Sequence, residues 1–313
     1  MLNAIDISLL ISATLTYSAP LILAGMGSVI SEISGVTNIG IEGQMTIGAF
    51  ACAAAAVLTG NPWIGLLAGL LAGAIFGLLH ALASITFKAD QTISGIAINL
   101  LAPGLAVYIC KALFNGSTQT RPVALSGKLP MLFEGVFPDN SFFDYVFKNY
   151  ASAYICLIIA LFMWFLLSKT QLGLRIRAIG EHPRAAATLG ISVFKVRYFC
   201  VILSGALAAF GGAVIPLSTV SYFFPSIISG QGFIAIAAVI FGKFKPLNTV
   251  LACLLFGFCK SLSLMLGNPK FDLTVSANLL SMIPYIITLA ALLLIGKSHA
   301  PAASGKIYDP AKG

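Results

Sequence analysis

Hydrophobic residues run in long blocks along this chain, and short polar breaks divide them. No charge occurs within residues 7–31, 43–87, 149–168 or 198–242. A helix that crosses a bilayer needs about 20 mostly apolar residues, so these blocks predict membrane spans. Residues 7–31 make span 1. The 43–87 block is long enough for two, about 44–60 and 62–87, parted by the turn signal Gly60-Asn61-Pro62. Span 2 is packed with Ala and Gly, which let helices approach closely, so it belongs in the interior. Lys88-Ala89-Asp90 is a short polar break before span 4, which ends near residue 113. Span 5 covers 150–168, span 6 198–220, span 8 about 247–266 and span 9 273–296. Between spans 6 and 8, residues 231–242 are apolar but too short to cross alone. The pattern predicts an all-α polytopic membrane protein of about nine spans (eight to ten), in one transmembrane domain over residues 1–313.

Polar residues collect in a few places. Residues 114–149 mix charge, Pro and aromatic rings, and the alternation of spans makes them an extracytoplasmic loop. Phe142, Phe143, Tyr145 and Phe147 suit a bilayer interface. Residues 297–313 are expected to be a flexible cytoplasmic tail. The stretch 169–197 holds six of the 18 Lys and Arg residues, and the positive-inside rule puts it in the cytoplasm. That places the N-terminus outside and the C-terminus inside. Within it, Pro183 suits the first position of a helix, with Glu181 and His182 just ahead at the positive dipole end. Gly190 suits the residue just past the helix end. A short rigid basic knob on a membrane face is suited to docking, although basic loops also simply anchor spans.

Composition agrees with the blocks. The chain is 58% hydrophobic and only 9% charged, against about 25% charged in soluble domains. The net charge of +8 reflects topology, and no nucleic-acid partner is implied. Six cysteines fall in predicted spans without a C-x-x-C pair, so they read as small buried hydrophobes. No basic stretch precedes the first apolar block, so no cleaved signal peptide is expected.

The chain also offers little for catalysis. It has no G-x-x-x-x-G-K-[ST] phosphate loop and no G-x-S-x-G elbow, and His80, His182 and His299 lack metal-ligand spacing. No cofactor, metal site or enzymatic activity is expected. An offset of 187 residues lays Gly25 on Gly212 and Gly43-Gln44 on Gly230-Gln231. It would overlay spans 1–4 on 6–9 as inverted repeats, where broken segments at matching places mark a substrate path. Chance matches between glycine-rich helices give the same pattern. The sharpest polar cluster is Asn38-Ile-Gly-Ile-Glu42-Gly-Gln44. Polar groups in a bilayer are costly and often functional, but Glu42 equally suits a cap for span 2. Gln91, Asn99 and Gln231 could line a path for a neutral hydrogen-bonding solute, or only link helices. Phe233 could stack on a base or only pack. Lipid is the remaining partner.

Ala185-Ala186-x-x-x-Gly190 resembles the coupling loop of ABC-importer permeases, and the run Gly180–Val193 is similar to the permease family for branched-chain amino acids, ribose and nucleosides. Gly35–Phe50, Gln91–Leu101 and Ser229–Gly242 resemble further segments of that family, notably its nucleoside and simple-sugar members. Arg184 stands where the broader motif has Glu. The resemblance implies a permease driven by separate ATP-binding-cassette ATPase subunits, which would grip Glu181, His182, Pro183, Arg184, Ala185, Ala186 and Gly190. It implies a second permease chain, identical or not, and an extracytoplasmic solute-binding protein or lipoprotein. It places the chain in the cytoplasmic membrane of a bacterium. Nucleosides are the expected solute; simple sugars or a ribityl compound such as riboflavin are the alternative. An ion-coupled secondary transporter, with Glu42 as its one carboxylate, is the rival from another class. A non-transporting scaffold is a second rival.

Overall fold

A computed structural model describes residues 4–138, 141–267, 282, 286–287 and 300–309. The order begins with α1 (Ala4–Ile33), α2 (Ile41–Thr59), α3 (Pro62–Ala81) and α4 (Gln91–Leu113). A π-helical turn, Leu82–Thr86, extends α3. The loop that follows holds a two-residue strand pair, β1 (Met131–Leu132) against β2 (Asn149–Tyr150), and the short α5 (Phe142–Phe147). Then come α6 (Ala151–Lys169), α7 (Gln171–Glu181), α8 (Pro183–Thr188), α9 (Val193–Ser218), α10 (Gln231–Phe241) and α11 (Pro246–Leu266).

Seven of the described helices are long and apolar enough to cross a membrane, and α10 is a shorter apolar helix. The polytopic all-α architecture is as the blocks predict. Span 9 (273–296) lies outside the described residues apart from isolated positions. The punctuation between α2 and α3 is local chemistry. Gly60 adopts φ +68°, and the Asn61 side chain accepts from the Trp63 amide at 2.9 Å, leaving Pro62 at the first helical position.

Helix α9 lies at the centre and packs on α1, α2 and α3. It is almost wholly enclosed, and α2 is the next most interior. Small residues make this closeness possible: a Cβ on Gly73 of α3 would strike the Gly205 carbonyl oxygen of α9, and the reverse also holds. The outer faces of α3 and α4 remain apolar and exposed, with Leu71, Ile75, Ile96 and Leu100 pointing outward. Such faces suit lipid or a neighbouring membrane chain. Helix α1 packs on α11, while α9 packs on α3.

The 169–197 segment departs from a simple loop. It folds as two helices, α7 and α8. Leu172, Ile176 and Ile179 form the inward stripe of α7 at spacings of four and three. The tail also departs from expectation. Residues 300–309 do not hang free but turn back onto α7: the Ala303 amide donates to the Gly180 carbonyl at 2.8 Å. Polar composition concealed this, because the contacts are made by backbone groups and by single side chains rather than by an apolar stripe. The remaining tail residues, 297–299 and 310–313, lie outside the described residues.

Candidate functional site

Two polar regions stand out against the apolar bundle. The first is the break between α1 and α2, residues 34–40. The amides of Ser34, Gly35 and Val36 return to carbonyls of α1, but past them the backbone leaves regular structure, and an unpaired peptide group in an apolar setting costs several kcal/mol, of the order ~2–7. Side chains from other helices supply the partners. Gln91 Oε1 accepts from the Thr37 amide at 2.7 Å. His80 Nε2 lies 3.0 Å from the Thr37 carbonyl, and its Nδ1 lies 2.9 Å from Ser94 Oγ. Asn38 donates to Gln44 Oε1 at 2.9 Å and to Ser204 Oγ at 3.0 Å, and its own oxygen accepts from the Gly40 amide at 3.1 Å.

Two side chains serve as caps across helices. Asn99, on α4, accepts from the Gly43 amide at 2.8 Å and donates to the Ile39 carbonyl at 3.0 Å. It thereby satisfies the start of α2. Glu42 then does the same for α10. Its Oε1 accepts from the Gly230 amide and its Oε2 from the Gly232 amide, both at 2.7 Å. So Glu42 does not cap its own helix, as the local pattern suggests. It caps the helix whose first residue is Gln231. A negative group at that end meets the free amides and the positive pole of the α10 dipole. Helix α10 spans only about 16 Å at ~1.5 Å per residue, roughly half a hydrocarbon core of ~30 Å, so its capped end sits within the membrane layer when its far end is at a surface.

The structure therefore brings Asn38, Glu42, Gln44, Gln91 and Asn99 to one seam, with Gln231 and Phe233 on the first turn of α10 beside it. Asn38, Gln44 and Gln91 are buried and engaged. Phe233 is 50% exposed. His80, Ser94 and Ser204 belong to the same seam and were not singled out from sequence. Their only signal there was polarity on otherwise apolar helices.

The second region is the surface built by α7, α8 and the tail. Pro183 opens α8 as expected. Its end is a paired cap: Gly190, at φ +79°, donates to the Ala187 carbonyl at 3.0 Å, and Ile191 donates to the Ala186 carbonyl at 3.2 Å. This is the Schellman arrangement that a glycine past the helix end favours. Ala186 is buried against Ile179 and Val193, which fixes the helix to α7 and α9. Arg184 and Ala185 are exposed. His182 sits at the α7–α8 junction, with no side-chain cap bond. Glu181 is the last residue of α7 rather than a leader to α8, and its Oε2 accepts from the Ala302 amide at 3.3 Å.

Arg197 and Glu32 complete this region, and sequence reasoning missed both. Arg197 is only 2% exposed; its Nε donates to the Ser34 carbonyl at 3.2 Å and its Nη1 to the Lys306 carbonyl at 3.4 Å. Its guanidinium lies 5.9 Å from the centre of the Tyr308 ring. Glu32 accepts from Ser304 Oγ at 2.8 Å. Each lay near a span end, where a charge is ordinary.

Residues 10–292 match the family described as branched-chain amino acid transport system / permease component. The chain belongs to that permease family. It is 44% identical to the guanosine ABC transporter permease protein NupQ of Bacillus subtilis, over 98% of each chain. It is 36% identical to the nucleoside ABC transporter permease protein NupC of Lactococcus lactis, again over 98% of each chain. It is 32% identical, over 90% of each, to the putative glucose ABC transporter permease protein TsgC13 of Haloferax volcanii. Seven apolar candidate spans and this membership identify a multi-pass protein of the cytoplasmic membrane. A permease of this family is a transport component.

Proposed function

We propose that this permease carries nucleosides inward across the cytoplasmic membrane, driven by ATP hydrolysis on separate ATP-binding-cassette subunits. The observation that carries the substrate class is the full-length similarity to two permeases named for guanosine and nucleosides. A solute-binding protein outside would deliver the solute, and a second permease chain would complete the pathway. Helix α8, opened by Pro183 and closed by the Gly190 cap, is the rigid element for an ATPase subunit to grip, through Glu181, His182, Pro183, Arg184, Ala185, Ala186 and Gly190. The basic 169–197 segment favours the cytoplasmic side for it.

Along the pathway, Gln231 and Phe233 are the groups proposed to meet the solute. Phe233 offers an exposed ring to a base, and Gln231 an amide to its edge. Asn38, Glu42, Gln44, Gln91 and Asn99 would frame the path, because their polar atoms already hold the break and the α10 end. The reciprocal packing of α1 on α11 and α9 on α3 supports inverted halves, a plan in which broken segments flank a midplane site.

The test is uptake of radiolabelled guanosine in cells that express the whole transporter, with Gly190→Pro as the loop variant. Uptake by the parent and its loss in the variant, with the permease still in the membrane, supports import coupled at α8. Absence of nucleoside uptake by an intact complex, with uptake of labelled glucose instead, would move the substrate to sugars, as the glucose-named relative allows.

A further inference from the structure

A concavity of about 530 Å³ lies between the coupling segment and the tail. One wall is Glu181, Pro183, Arg184 and Ala185; the other is Lys306, Ile307, Tyr308 and Asp309. The tail wall is held in place from three sides. Its backbone bonds Gly180 and Glu181 of α7. Ser304 reaches Glu32 at the end of α1. Asp309 pairs with Lys88, beyond α3, at 3.1 Å. The two walls are thus one folded surface, and the tail is tied to the same helices that carry α8.

The charges at this surface are mixed, with an excess of one cation. Arg184, Arg197 and Lys306 line it, against Glu181 and Asp309. Asp309 is met by Lys88, and Glu181 accepts from a backbone amide. Beneath the floor, Arg197 is a buried cation that bonds two backbone carbonyls and lies near a ring face, and its Nη2 has no hydrogen-bond partner among the described residues. A buried cation that no carboxylate among the described residues meets leaves a positive potential that an incoming acidic group would offset. Ile307 is 49% exposed at the rim, an apolar contact beside the charges.

We infer that residues 302–309 are the second half of the ATPase-docking surface, and that the concavity seats an acidic segment of the ATPase subunit against Lys306, above Arg197. The inference rests on the proposal that α8 docks an ATPase. The docking surface is then a cleft with two walls rather than a lone helix. Movement of the ATPase subunit is passed to α1 through Ser304 and Glu32 as well as to α9 through α8.

The experiment is co-purification of the cognate ATPase subunit with the full-length permease in detergent, across a salt series. Lys306→Glu is expected to lower ATPase retention about tenfold, an affinity loss of ~1.4 kcal/mol. Lys306→Arg retains it, and parent retention falls as salt rises. Ile307→Arg, which adds bulk at the rim without reversing the charge, also lowers retention. Ala185→Arg on α8 serves as the control for docking itself. If Ala185→Arg abolishes retention while Lys306→Glu and Ile307→Arg keep parental levels, the two-walled cleft is overturned and α8 docking stands. If none of the three alters retention, α8 docking fails and the cleft fails with it.

Discussion

The carboxylate of Glu42 spans the amides of Gly230 and Gly232, with one oxygen 2.7 Å from each. One residue at the start of α2 therefore fixes where α10 begins, 188 residues away along the chain. The fit leaves no slack: a Cβ on Gly232 would lie 2.6 Å from the Glu42 Cα.

Glu42→Ala will leave two amides without an acceptor in a partly buried site. Each unsatisfied group costs about 1–3 kcal/mol, so the melting temperature of the detergent-solubilised permease should drop measurably. Glu42→Gln keeps one acceptor oxygen and loses the charge at the dipole end, so its loss is smaller. Equal melting temperatures for parent and Glu42→Ala would refute the capping role.

Asn99 works in both directions, accepting from Gly43 and donating to Ile39. Asn99→Leu removes both bonds and is expected to cost about 1–3 kcal/mol. Asn99→Asp keeps an acceptor for Gly43 but sets a carboxylate oxygen against the Ile39 carbonyl. Both variants should lower thermal stability and guanosine uptake together. A variant with normal uptake and unchanged stability would show that the start of α2 is held by other groups.

The crossing of α3 and α9 depends on Gly73 and Gly205, each of which faces backbone of the other helix. Gly73→Leu forces the helices apart, and overpacking of this kind costs about 1–3 kcal/mol. Thermal unfolding and the yield of monodisperse protein report it. Gly104, which has open space around its Cβ position, is the control: Gly104→Ala should leave both unchanged.

Gly190 also has open space, so only its φ of +79° constrains it. Gly190→Ala meets a left-handed backbone penalty of about 1–2 kcal/mol, concentrated on the end of α8. Global stability should change little, while ATPase co-purification weakens. Gly190→Asn, which tolerates that backbone region better, should weaken it less. Full ATPase retention by both variants would show that the α8 end does not matter for docking.

Much of this fold was legible along the chain because a bilayer imposes a one-dimensional rule. A helix must run apolar for its full length, so block lengths disclose spans such as α3 and α6 directly. Caps and turns are also local, and Gly60-Asn61-Pro62 and Pro183 with Gly190 stand in the structure as their residue types require. Helix α7 is equally readable from Leu172, Ile176 and Ile179, a stripe set among the basic residues Arg175 and Arg177.

What the sequence by itself determined was the membrane architecture, the interior place of α2, the shortness of α10 and the family to which the chain belongs. Each follows from composition or spacing over a few turns, or from a contiguous motif. Only the tertiary structure decided which polar group answers which. Local chemistry assigns Glu42 to α2 and leaves Asn99 with no assigned partner; folding gives the start of α2 to Asn99 and the start of α10 to Glu42. It also closes residues 300–309 over Gly180, Glu32 and Arg197. The physical reason is the same in both cases. A free amide or a buried charge must find a partner wherever one is near in space, and nearness in space is not written in the spacing of residues along the chain.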